Sequence, residues 1–162
     1  LYNYNHEEFL QNIFKLVINP ETFELKNKFS VQLFEFMSVL SDNAIWILDK
    51  NFSFSYVSES FEKMLGYDFK YFKKYGIKHL VSITSYQLIL HLQDVLQKSS
   101  GKGFDDISKL DMELKRKDKT RFWAEITFHP IYRDSEFLGL FGFTRDIDKR
   151  KTAENELMKS KN

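Results

Sequence analysis

Apolar positions recur in two rhythms along this chain, and the change from one to the other falls near Asn43. Upstream the rhythm is helical. Over residues 6–18, Phe9, Ile13, Leu16 and Val17 return at three- and four-residue spacing, which predicts an amphipathic helix. Asn19-Pro20 ends it, because the residue before a proline avoids the helical region. Phe29, Leu33, Phe36, Met37 and Leu40 form a second helical stripe. Each of these helices has one apolar face that needs a cover, either the domain that follows or a second copy of the chain.

Beyond Asn43 the rhythm is mostly that of strands. Residues 44–49 read as a buried strand and residues 52–57 as an alternating one, with Lys50-Asn51 as a tight turn in which Asn takes positive φ. A short helix follows. Ser58 or Ser60 caps its start, Phe61, Met64 and Leu65 form its apolar face, and Gly66 stops it. Residues 68–82 read as short helical turns anchored by Tyr71, Phe72, Ile77 and Leu80. Residues 85–98 form a longer helix with the core stripe Leu88, Ile89, Leu92, Val95 and Leu96, closed by Ser99-Ser100-Gly101.

Three strands complete the pattern, over residues 108–116, 121–132 and 137–146, with turns at 117–120 and 133–136. In the middle strand Phe122, Ala124, Ile126 and Phe128 share one face, while Trp123, Glu125 and Thr127 share the other. A polar helix over residues 148–162 carries sparse apolar positions at Ala153, Leu157 and Met158, with Asp148 as its expected N-cap. The predicted class is α+β: five antiparallel strands with helices on one face, flanked by N- and C-terminal helices.

Composition narrows the functions this fold can serve. The 162 residues suit one domain plus connecting segments, and 43% hydrophobic residues supply a core. Seventeen Phe and eight Tyr follow genome composition as readily as function. With 24 basic against 23 acidic residues the net charge is +1, so neither nucleic acid nor direct membrane contact is expected. The absence of cysteine excludes disulfides, thiolate metal sites, Cys nucleophiles and thiol photochemistry, and fits a reducing cytoplasm. No apolar run approaches the roughly 20 residues of a membrane span, and no signal peptide opens the chain. Leu1 in place of Met points to an excerpt, so the expected location is the cytoplasm, with a membrane anchor elsewhere in the intact protein left open.

The order of elements and four phrases within it resemble the PAS family. Ala44-Ile45-Trp46-Ile47-Leu48-Asp49 looks like its first strand, and Tyr56-Val57-Ser58 running into Phe61-Glu62-Lys63-Met64-Leu65-Gly66-Tyr67 is similar to its strand–helix phrase. Lys117-Asp118-Lys119-Thr120-Arg121-Phe122-Trp123 resembles its hairpin before the fourth strand. Gly142-Phe143-Thr144-Arg145-Asp146-Ile147-Asp148-Lys149-Arg150-Lys151 resembles the passage into its output helix. Three positions depart from the pattern: Ser58 stands where Asn is common, Lys119 where Gly is common, and Asp148 where Thr closes an Asp-Ile-Thr motif.

The resemblance implies a sensory domain over residues 43–148, a helical linker or dimerisation segment over 1–42, and the start of an output helix over 149–162. It also implies a cavity between sheet and helices, and a linked effector such as a histidine kinase or diguanylate cyclase. Arg145, Asp146 and Asp148 become the expected signal-output junction, Asp146 through a basic partner. Phe29, Leu33, Phe36, Met37 and Leu40 become the expected homodimer interface.

Pocket candidates are Tyr56, Phe61, Met64, Leu88, His91, Leu92, Ala124, Ile126 and Phe128. Small Ala124 among large neighbours leaves room for a small-molecule ligand, and an ordinary filled core is the competing reading. His91 on a helix flank is the one residue that invites a haem, yet the matching ligand position falls nearer Ile89, so haem is not expected. His6, His79 and His129 show no ligand spacing. Trp46 and Trp123 are assigned to packing in preference to flavin stacking. No cofactor and no metal is therefore expected. Lys149-Arg150-Lys151 reads as a solvated face diluted by Glu154 and Glu156. No nucleophile elbow, metal-binding helix or phosphate loop is present, so no catalytic residue is assigned and the chain is not read as an enzyme. The alternative is a ligand-free dimerisation and interaction module.

Overall fold

A computed structural model describes residues 12, 14–99 and 108–161. Its elements are α1 (Lys28–Ser41), β1 (Ala44–Asp49), β2 (Phe54–Val57), α2 (Glu59–Leu65), α3 (Phe69–Tyr75), a 3-10 turn (Ile77–Leu80), α4 (Ile83–Lys98), β3 (Ser108–Lys115), β4 (Arg121–Arg133), β5 (Glu136–Asp146) and α5 (Asp148–Ser160). The strands form one antiparallel sheet in the order β2-β1-β5-β4-β3. Placing β5 between β1 and β4 puts the end of the last strand at the middle of the sheet. Among the described residues, no helix is long and apolar enough to cross a membrane.

Helices α2 to α4 cover one face of the sheet, as the alternation predicts. Trp46, Leu48, Phe54, Phe61, Phe72 and Phe122 lie in the core between them. The flanking N-terminal segment covers much of the opposite face, where Phe14, Phe23 and Phe34 pack on Ile45, Ile47 and Phe141. Strand β1 is thus buried on both sides, which explains its unbroken apolar run.

Phe23 plugs that second core. It sits at φ 58° and is buried, with its ring lying so close to Gly139 that a Cβ there would stand 2.2 Å from it. Ser55 Oγ holds the plug by donating to the Phe23 carbonyl at 2.7 Å. Of the helix expected over residues 6–18, Phe9 and Ile13 lie outside the described residues. Residues 14–17 are helical, with Val17 buried and Leu16 exposed.

Two expectations need correction, one in the β1–β2 loop and one in α4. Positive φ in the β1–β2 loop falls on Phe52 (61°), not on Asn51, because the Asp49 carboxylate accepts from both Asn51 and Ser53 N–H and organises a longer loop. In α1 the residues that face the sheet are Ser30, Phe34 and Ser38, and Phe29, Phe36 and Leu40 are exposed. In α4 only Leu96 is fully buried, with Ile89 and Leu92 partly so, while Leu88 is 62% exposed and Val95 is also exposed. The helix begins at Ile83, one residue after the Ser82 cap.

Candidate functional site

A cavity of about 90 Å³ lies between the sheet and helix α2, the 3-10 turn and helix α4. The sheet contributes Trp46, Leu48, Ile126, Phe128, Leu140 and Thr144, and the helices contribute Phe61, Ile89 and Leu92 among others. Among the described residues of the lining, Thr144 is the single one whose side chain carries a hydroxyl, and that oxygen accepts from Trp46 Nε1 at 2.8 Å. Trp46 pairs across the strands with Gly142, where any Cβ would stand 2.0 Å from the indole. Glycine here is a requirement of the indole's seat.

Four of the expected pocket residues line this cavity: Phe61, Leu92, Ile126 and Phe128. Ala124 is fully buried and Met64 packs against the same core, but neither lines the space. Leu88 and His91 are exposed on α4. Tyr56 points to the other face of the sheet. The cause is a bulge: Leu48 pairs with Phe54 and Ile47 with Tyr56, so Ser55 is an extra residue and the two-residue alternation is reset. There the Tyr56 hydroxyl donates to Glu35 Oε1 at 2.5 Å. Burial and that carboxylate hold its phenol well above the ordinary value.

Glu35 also accepts from Glu59 N–H, so one side chain of α1 ties together β2 and the start of α2. Beside it Ser38, Ser58 and Ser60 form a hydroxyl cluster, with Ser38 and Ser60 2.6 Å apart. Ser58 caps α2 and accepts from Ile45 N–H at 2.9 Å, which accounts for a serine at this position.

The second part of the site is where β5 passes into α5. Asp146 Oδ2 pairs with Arg116 Nη2 at 3.0 Å, and Arg116 lies 4.0 Å over the Phe122 ring and donates from Nε to the Met64 carbonyl. Arg116 is thus the basic partner of Asp146, from the end of β3. Asp146 Oδ1 accepts from Asp148 N–H at 3.0 Å. Asp148 is not the N-cap expected of it: it is the first residue of α5, and its carboxylate accepts from Trp123 N–H at 2.6 Å. Arg145 faces away from this bracket and donates to Asn43 Oδ1, tying β5 to the end of α1.

The basic run at the start of α5 is occupied. Arg150 pairs with Glu125 at 3.0 Å and Asp111 at 3.1 Å, and Lys151 reaches Asp111 at 3.0 Å and lies over the Trp123 ring. Lys151 and Arg150 hold the Asp111 carboxyl below its ordinary range. These pairs dock the first turn of α5 on β3 and β4. Leu157 and Met158 farther along are exposed.

Cofactor and ligand pockets commonly run to about 300–1,000 Å³ with several placed polar groups. The inner cavity is far smaller, and among the described residues its lining holds no imidazole or carboxylate, only the Thr144 hydroxyl that accepts from Trp46. His91 is exposed and His79 packs edge-on against Tyr75 at the surface. Among the described residues no three His, Asp or Glu side chains stand together as a metal site.

Sequence patterning does not reveal Trp46, Phe54 and Thr144 as cavity residues, because their facing depends on cross-strand register and on the Ser55 bulge. The Trp46–Gly142 pairing is a signal only once β1 is known to lie beside β5.

A family model described as PAS domain matches residues 42–149. Solved structures share the fold at low identity. A sensory box histidine kinase/response regulator from Burkholderia thailandensis aligns with TM-score 0.59 and 17% identity, over 79% of this chain and 94% of its own. The PAS domain of an HTR-like protein from Haloarcula marismortui aligns at 0.52 and 22%, over 72% and 95%. The N-terminal domain of a diguanylate cyclase with PAS/PAC sensor from Marinobacter aquaeolei aligns at 0.54 and 17%, over 67% and 98%. No curated protein matches the sequence.

Proposed function

The chain belongs to the PAS domain family, and from that premise we propose that it senses the occupancy of its inner cavity and passes the change through α5 to an effector domain of the same polypeptide. A histidine kinase or a diguanylate cyclase is the kind of effector intended. The domain is a regulatory module with no catalytic residue of its own, and it works without bound haem or flavin.

One observation carries this reading. Thr144, whose hydroxyl holds the cavity's Trp46, and Asp146, which brackets the output helix, sit two residues apart on the same face of β5. A ligand that favours one position of Trp46 and Thr144 therefore acts on the strand that fixes α5. Such an effect requires different affinity for two domain states.

The exposed stripe of α1 supports a second element of the proposal, a homodimer. Phe29, Phe36, Met37 and Leu40 are exposed on one side of that helix, while Leu33, the fifth residue of the expected interface, packs in part against the core under the helix. Dimerisation alone, without a ligand, is the competing function. Spin-label distances separate the two, because the chain has no cysteine to interfere. With labels at Lys115→Cys and Glu156→Cys, filling the cavity by Leu92→Phe shifts the distance distribution between sheet and α5. An unchanged distribution leaves the dimerisation module as the function.

A further inference from the structure

We infer that the occupant of the inner cavity is a small, uncharged hydrocarbon-like molecule, of the size of benzene or a short alkylbenzene, recognised by shape and dispersion. This inference presupposes the sensor role proposed above and names the chemical class of its ligand.

The lining decides the class. Among the described residues every lining side chain but Thr144 ends in hydrocarbon, thioether or indole, and the Thr144 oxygen accepts from Trp46 Nε1 at 2.8 Å, which satisfies the indole and leaves a single hydroxyl as the remaining polar group of the pocket. A carboxylate, phosphate or ammonium entering here would lose its hydration and meet no counter-charge. A neutral group that needs several hydrogen bonds would find one hydroxyl and leave the rest unmade. An apolar molecule gives up no hydrogen bonds on entry and gains dispersion contacts with the lining.

Size follows from the volume. The space is about 90 Å³, and dry apolar cavities of about 150 Å³ take up benzene or xenon. The difference is within reach of one wall. Ile89 and Leu92 are supplied by α4, in which only Leu96 is fully buried and whose Ile83 and Leu88 are exposed. Its fixed points lie at the C-terminal half: Gln93 and Gln97 donate to the Lys50 carbonyl, and Tyr132 Oη donates to the Leu96 carbonyl. Among the described residues the N-terminal half makes no such hydrogen bond to the rest of the domain and is held by Tyr86 and Ile89 packing on the core, so a small outward shift there enlarges the pocket.

The test uses the full chain carrying Trp123→Phe, which leaves Trp46 as the sole indole. Thermal unfolding and Trp46 emission are followed with benzene, toluene and ethylbenzene, and in parallel with benzoate and benzylammonium. The hydrocarbons are expected to raise the melting temperature and change the emission, with affinity at least tenfold above that of either charged analogue. Ile126→Phe, and separately Leu92→Phe, should abolish the hydrocarbon response while each variant still melts cooperatively. Equal binding of a charged analogue, or a hydrocarbon response that survives both fillings, overturns the inference. If no hydrocarbon binds but Leu92→Phe still moves α5, the ligand class is wrong and the sensor role stands. If Leu92→Phe leaves α5 in place, the sensor role itself fails.

Discussion

Two side chains show how much a single position sets in this domain. Thr144 is fully buried, and its hydroxyl is the partner of a buried indole N–H. Thr144→Val keeps the shape and removes the acceptor, which should cost about 1–3 kcal/mol for the stranded donor. Chemical denaturation would read that loss, and Trp46 emission should shift with it. Lys119 tests the opposite sign. It holds φ 69° in the β3–β4 turn, where its N–H meets the Arg116 carbonyl and Asp118 accepts from Thr120. Left-handed backbone costs an L-residue about 1–2 kcal/mol, and glycine gives part of that back as chain entropy. Lys119→Gly should therefore stabilise the domain by roughly 0.5–1 kcal/mol, and an unchanged or lower stability would show the turn to be unstrained. The family pattern hinted at this position, since glycine is common there. The role of Thr144 is invisible in sequence, because it depends on a residue nearly a hundred positions away.

Among the elements, the two flanking helices divide their work by face. Helix α1 seals the sheet with Phe34 and presents Phe36 and Leu40 to the outside. Phe34→Ala should destabilise the domain by about 3–5 kcal/mol. Phe36→Glu with Leu40→Glu should leave the melting temperature nearly unchanged and give a monomer by light scattering. A dimer that persists in the double variant would rule out the α1 interface. Helical spacing found the exposed stripe but not Phe34, because the buried side of α1 is otherwise made of serines, and hydrophobic periodicity cannot register Ser30 and Ser38 as an inward face. The same limit hid the lightly packed state of α4, whose apolar positions run all round the helix.

Helix α5 is held by charge, so its docking should depend on pH. The Asp111 carboxyl lies below its ordinary value of 3.8 through Lys151 and Arg150. A depressed carboxylate contributes its stabilisation above its unfolded-state value and loses it as pH falls through the folded one. Amide exchange over residues 148–151 should accelerate relative to the sheet as pH drops below about 4, after correction for intrinsic rates. Asp111→Asn should show the faster exchange already at neutral pH. Equal protection in the variant at neutral pH would place the docking elsewhere.

On the scale of the whole molecule, the sheet is the part the sequence declares most openly. Period-two alternation in β4, the turn at 117–120 and the run of β1 mark five strands, while their order in the sheet comes from the structure. What the sequence withholds is register. One extra residue, Ser55, sends Tyr56 to the far face, where it meets Glu35 instead of a ligand. The second core under the N-terminal segment is withheld for a similar reason, since Phe23 finds its place only against Gly139 on a distant strand.

The central claim is that the inner cavity and the β5–α5 junction are energetically coupled. A double-mutant cycle on unfolding free energy with Leu92→Phe in the cavity wall and Asp146→Asn at the junction tests it directly. Changes at independent, separated sites add to within about 0.3–0.5 kcal/mol. Coupling through β5 should give an interaction energy of about 0.5–1 kcal/mol or more, whereas additivity within about 0.3 kcal/mol would contradict the claim.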